Sequence, residues 1–153
     1  MKTRIGFVSN SSTTSFSIYG CQIPFETEED QYKIMSGVVK KHKKTFDKCD
    51  GFNETFEEAG KSLAGEQMPY TFGEYVDDLQ RDFTETMDEL SASAGLNFYY
   101  GDNSYYLYCG LPFEEMKNKE TKEDFMNRIS KKIDVLFGKK MKCGHHSESY
   151  RDG

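Results

Sequence analysis

Between Thr71 and Leu90 the apolar residues Phe72, Tyr75, Val76, Leu79, Phe83, Met87 and Leu90 recur every three or four positions. An α-helix gathers such a series onto one side, so this run is expected to lie along a core with its other side in water. Thr71 and Glu74 stand three residues apart, the spacing at which a hydroxyl and a carboxylate each satisfy an orphan backbone donor at a helix start. The opposite side is acidic. Glu74, Asp77, Asp78, Asp82, Glu85, Asp88 and Glu89 are offset by Arg81 alone, so this segment carries the whole formal charge of −6.

Glu74, Asp78, Asp82, Glu85 and Glu89 step by four and three residues, which lines five carboxylates along one helix side. Like charges at that spacing cost a few tenths of a kcal/mol per pair. Such a surface is either a solvated face that keeps the chain soluble or one kept for a partner; on the second reading these five are the candidate partner-binding residues, suited to a basic protein surface. The same stripe repels phosphate backbones, so direct nucleic-acid binding is not expected.

The other elements are read from caps and periodicity. Thr27 caps a helix that opens with Glu28, Glu29 and Asp30 and closes with Lys40, Lys41, Lys43 and Lys44, an order that suits the helix dipole. Tyr32, Met35 and Val39 share its inner face, and Gly37 weakens it. Asn53 to Leu63 reads as a short helix with Phe56 and Leu63 inward. Thr121 caps another, with Phe125, Ile129, Ile133 and Leu136 inward and Gly138 as its stop. Thr3 to Val8 and Phe16 to Tyr19 read as strands, the second closed by Pro24. Leu96 to Tyr100 and Tyr105 to Cys109 flank Gly101-Asp102-Asn103-Ser104, which makes a hairpin.

Strands at the start and centre, separated by helices, imply an α+β fold: a small, mainly antiparallel sheet packed against three or four helices. At 153 residues the chain is expected to be one domain, 1–153, with 139–153 a polar C-terminal tail. Hydrophobic residues are only 36%, so 12 Phe and 10 Tyr must supply much of the core. No apolar run reaches the roughly 18 residues of a membrane span, and the N-terminus lacks a secretory apolar stretch. A cytoplasmic protein is the expectation, and Cys21, Cys49, Cys109 and Cys143 are then free thiols.

The opening Arg4-Ile5-Gly6-Phe7-Val8-Ser9-Asn10-Ser11-Ser12, through Ser15-Phe16, resembles the "GFVSNSSSSSF" start of many small phage and prophage proteins. Tyr108-Cys109-Gly110-Leu111, Glu120-Thr121, Phe125 and the ending Cys143-Gly144-His145-His146 with Tyr150-Arg151-Asp152-Gly153 resemble such proteins too. The resemblance implies a phage origin and a setting inside an infected bacterium, and it brings no catalytic residue with it.

Other motifs have plainer readings. Ser9, Asn10, Ser11 and Ser12 form a hydroxyl-rich loop, a possible recognition or phosphate site that lacks the glycine-lysine pattern of a phosphate loop. Cys143, His145 and His146 are zinc-type ligands without a second local pair, so no metal or other cofactor is expected. Lys40 to Lys44, with His42, is accounted for by the helix end. Neither a nucleophile elbow nor a metal-binding histidine pair marks an enzyme. The expected function is that of a phage accessory protein that binds a host or phage protein, with inhibition of a host defence as its use. The alternative is a small metal- or nucleotide-dependent enzyme built on the serine-rich loop and the Cys/His tail.

Overall fold

In the computed structural model, which describes residues 15–100 and 105–149, the chain runs β1 (Ser15–Pro24), α1 (Glu28–Lys41), α2 (Lys43–Phe46), α3 (Phe52–Leu63), α4 (Phe72–Ser93), β2 (Asn97–Tyr99), β3 (Tyr106–Leu111), α5 (Lys122–Phe137) and β4 (Cys143–Ser149). The strands form one antiparallel sheet in the order β2-β3-β1-β4. The fold is α+β, as the sequence indicates.

The caps fall where the side chains call for them. Thr71 and Thr121 each make a full capping box, with Glu74 and Asp124 respectively, and Thr27 accepts from the Asp30 amide. Gly138 closes α5 at φ 72°, a left-handed conformation that glycine adopts without a Cβ clash. α1 continues through Gly37. It ends at His42, which is half-buried and links the helix to α5 through a 2.6 Å contact between its Nε2 and the Leu136 carbonyl.

Register and alternation sort the sheet into two faces. Tyr19, Cys21 and Ile23 of β1 share a face with Leu107, Cys109 and Leu111 of β3. α4 and α5 reach this face: Ser91 Oγ lies 3.7 Å from Cys109 Sγ, and Tyr19 Oη lies 3.3 Å from Ser130 Oγ. Between the helices and under α3 the core is largely aromatic. Phe46 packs 5.0 Å from Phe52 and 6.1 Å from Phe83, while Tyr32 stacks on Phe56 at 5.0 Å.

The other face carries Phe16, Ile18, Tyr99, Tyr108 and His146. Tyr108 is opposite Gln22, six residues along β1 from Phe16. In a flat sheet that offset is about 20 Å, yet the Phe16 ring lies 4.9 Å from Tyr108 and 4.6 Å from Tyr99. The sheet therefore curls between them. The bend coincides with the pair Gly20 and Gly110, where a Cβ on either residue would overlap the opposite strand's carbonyl oxygen.

Several expectations need correction. Residues 143–149 are not tail: they form β4, paired with β1 from Cys143↔Cys21 to Ser149↔Ser15. Cys, Gly, His and Ser give no apolar alternation, and an edge strand needs none because backbone bonds hold it. β3 runs on to Leu111, whereas β2 is only Asn97–Tyr99. In α3, Phe56 and Leu63 do face the core, half-covered, and Phe52 and Ala59 are buried beside them. The expected strand Thr3–Val8 and the loop Ser9–Ser12 lie outside the described residues.

Candidate functional site: an acidic groove beside α4

The inner face of α4 is set by Phe72, Tyr75, Val76, Leu79, Phe83 and Met87, all buried. Its C-terminal half is buried more widely, since Thr84, Thr86, Asp88 and Ser91 are covered as well. Asp88, one of the segment's seven acids, is 3% exposed and so adds no charge to the surface. Periodicity did not reveal this, because Asp88 follows Met87 at the boundary between the two helix sides.

The five acids of the stripe divide. Glu74 is engaged at the helix start, where its Oε1 accepts from the Thr71 amide at 2.9 Å and from the Thr71 hydroxyl at 3.1 Å. Asp78 is exposed, one helical turn further on. Asp82, Glu85 and Glu89 come together on one depression, whose remaining wall is Thr45 and Lys48 with Cys49 and Thr86. The far side of this groove is the α2–α3 connection, held to α4 by a 3.6 Å contact between Cys49 Sγ and Thr86 Oγ1. The contribution of Thr45 and Lys48 could not be read from sequence, because it follows from how α2 and α3 pack on α4.

Among the described residues, the nearby basic pairings are solvent-exposed or directed elsewhere. Arg81 Nε stands 3.4 Å from Glu85 Oε2, but the two side chains are 82% and 42% exposed. Pairs of that kind are worth about 0.3–0.5 kcal/mol. Lys43 is paired with Asp47 at 3.3 Å rather than with α4. The groove is lined by three carboxylates and by Lys48. At the start of the same helix Tyr70 is 58% exposed and meets Tyr75 edge-on at 5.7 Å. It is an aromatic side chain left at the surface beside the acidic stripe.

The Cys/His segment does not assemble as a metal centre. Alternation along β4 puts Cys143 and His145 on the helix-facing side and His146 on the other. The His145 Nε2 lies 2.8 Å from Ser17 Oγ. His146 lies 5.8 Å from the Tyr108 ring, and burial lowers its pKa. Among the described residues no three His, Cys, Asp or Glu side chains are grouped so as to hold a metal ion. Likewise no helix among them is long and apolar enough to cross a membrane.

One contact network was not anticipated. Arg128 grips Glu120 with two bonds, Nε to Oε2 at 2.7 Å and Nη2 to Oε1 at 2.9 Å, and Glu120 also accepts from the Lys117 amide at 2.8 Å. The bonds from Arg128 and the Lys117 amide bring the Glu120 carboxyl down to about 2. This pairing ties the 112–121 connection to α5. No protein-family model, curated protein or solved structure matches this chain.

Proposed function

We propose that this chain is a non-enzymatic binding protein that seats a basic surface of another protein against the acidic groove beside α4. The observation that carries the reading is the convergence of Asp82, Glu85 and Glu89 on one depression, with Asp78 a turn away on the same helix side. A lysine or arginine entering the groove would meet several carboxylates already held by a buried helix. Such complementarity speeds encounter and sharpens partner choice, while affinity comes from apolar anchors, for which Tyr70 is placed.

The proposed setting is the cytoplasm of an infected bacterium. The partner would be a host or phage protein, and occlusion of a host defence protein would be the use. The likeness of the chain's two ends to phage and prophage proteins supports this setting.

The test compares wild type with the variant Asp78→Asn, Asp82→Asn, Glu85→Gln, Glu89→Gln. Each is used as bait in phage-infected bacterial lysate, and the protein captured by wild type is purified. Its association rate is then measured at low and high salt. The variant is expected to associate about tenfold more slowly or worse, with a flatter salt dependence. Equal rates and equal salt dependence would reject this groove as the docking surface.

A further inference from the structure

Cys21, Cys109 and Cys143 are far apart in sequence but form one row across three adjacent strands, with Cys21↔Cys109 and Cys21↔Cys143 both directly opposite in register. All three are free thiols. By alternation all three project to the helix-facing side of the sheet.

The two neighbours of Cys21 are not equivalent. The Cys109 carbonyl oxygen points into the space between β3 and β1, since a Cβ built on Gly20 would run into it. The Tyr19 carbonyl oxygen does the same toward Gly110. Cys21 and Cys109 are therefore a hydrogen-bonded pair, and the backbone alternation of an antiparallel ladder makes Cys21 and Cys143 a non-hydrogen-bonded one. Opposed residues of that second kind have Cα atoms roughly 4.5 Å apart and the closer side chains, within the span a disulfide bridges. Access differs too. Cys21 and Cys109 are 1% and 0% exposed, and Cys109 has Ser91 Oγ 3.7 Å away. Cys143, on the edge strand, is half-buried.

We infer that Cys143 is an oxidation site at which hydrogen peroxide forms a cross-strand disulfide with Cys21, stapling β4 to the centre of the sheet. The Cys143 thiolate attacks the peroxide, the O–O bond breaks, and Cys143 becomes a sulfenic acid with release of water. The Cys21 sulfur then attacks the Cys143 sulfur, the S–O bond breaks, and a second water leaves. Two thiols lose two electrons and two protons, and one peroxide is reduced to two waters. Burial raises the pKa of each thiol, that of Cys109 to about 12, so little thiolate is present at neutral pH. Oxidation should accordingly need more peroxide than an exposed thiol does.

The experiment uses the full reduced chain. It is titrated with hydrogen peroxide, free thiols are then blocked with N-ethylmaleimide, and non-reducing tryptic peptides are mapped by mass spectrometry. The peptide holding Cys21 should appear joined to the one holding Cys143, in a monomer, and dithiothreitol should separate them. The bridge closes a loop of about 120 residues, so the oxidised protein should melt roughly 10–20 °C higher. Amide exchange in β4 should slow as well. Cys143→Ser should lose the bridge and the shift, while Cys49→Ser should keep both. The inference is overturned if Cys21 is joined to Cys109 or Cys49, or if the link is between molecules. It is equally overturned if Cys143 proceeds to sulfinic acid unbridged, or if all thiols stay alkylatable at doses that fully oxidise glutathione.

Discussion

Neutralising Asp78 and Asp82 together should stabilise the protein. Asp78 lies four residues after Glu74 and four before Asp82, and Asp82 lies three before Glu85. The double change Asp78→Asn, Asp82→Asn therefore removes three like-charge contacts on one side of α4. At about 0.2–0.5 kcal/mol each, three repulsions removed against one Asp78–Arg81 attraction lost at i,i+3 leave a net relief of roughly 0.4–1.0 kcal/mol. Asp and Asn have similar helix propensities, and both sites lie beyond the first turn, so neither backbone preference nor the helix dipole alters the sign. For a chain of this size the gain corresponds to a rise of about 1–4 °C in melting temperature.

The assay is a thermal melt of both proteins at low salt and again at about 0.5 M salt, where the Debye length of a few ångströms screens surface repulsion. The gain should be present at low salt and shrink toward zero at high salt. A double variant that melts lower at low salt would refute the reasoning. It would mean that Asp82 is held by Lys48 across the groove, and that the acids serve the fold rather than a partner.

Two further outcomes follow from the geometry. Gly20→Ala places a methyl against the Cys109 carbonyl and should force the strands apart at the bend; a loss of about 1–3 kcal/mol in urea unfolding is expected, and unchanged stability would show that the curl does not depend on this close approach. Glu120 has its folded pKa depressed to about 2 from an ordinary 4.5, so its stabilising contribution is complete above about 4.5 and is lost as pH falls toward 2. Glu120→Gln should lower the urea midpoint at pH 7 and flatten the fall in stability between those pH values, whereas parallel pH profiles would show that the Arg128 pairing is energetically idle.

Much of this fold was legible because its signals are local. The α4 and α5 boundaries are written in Thr71, Glu74, Thr121, Asp124 and Gly138, whose roles depend only on residues one turn away. β4 was illegible for the converse reason: it exists through backbone bonds to β1, more than a hundred residues earlier, and its side chains show no period-2 apolar pattern. The thiol row was hidden by the same fact. Spacing along the chain cannot reveal that Cys109, Cys21 and Cys143 fall in one register row, because register is fixed by pairing. The acidic stripe was legible as a charge pattern, but not as a groove. Glu74 was diverted into a cap, Asp88 into the core, and Thr45 and Lys48 joined from another element.

The placement of the acids also bears on how a costly surface would serve the proposed recognition. Carboxylates on a mobile segment would lose conformational freedom on meeting a partner, and that loss offsets the electrostatic gain. Here α4 is anchored by a capping box at one end and buried on more than one side at the other, so the backbone under Asp82, Glu85 and Glu89 is fixed before any encounter. α4 meets the sheet chiefly at β2 and β3, while Cys143 sits on β4, two strands beyond β3 in the strand order. A staple at that edge adds order to a strand that does not line the groove. The proposed recognition by the acids and the proposed oxidation of the thiol pair therefore rest on separate parts of the molecule, and the failure of one leaves the other standing.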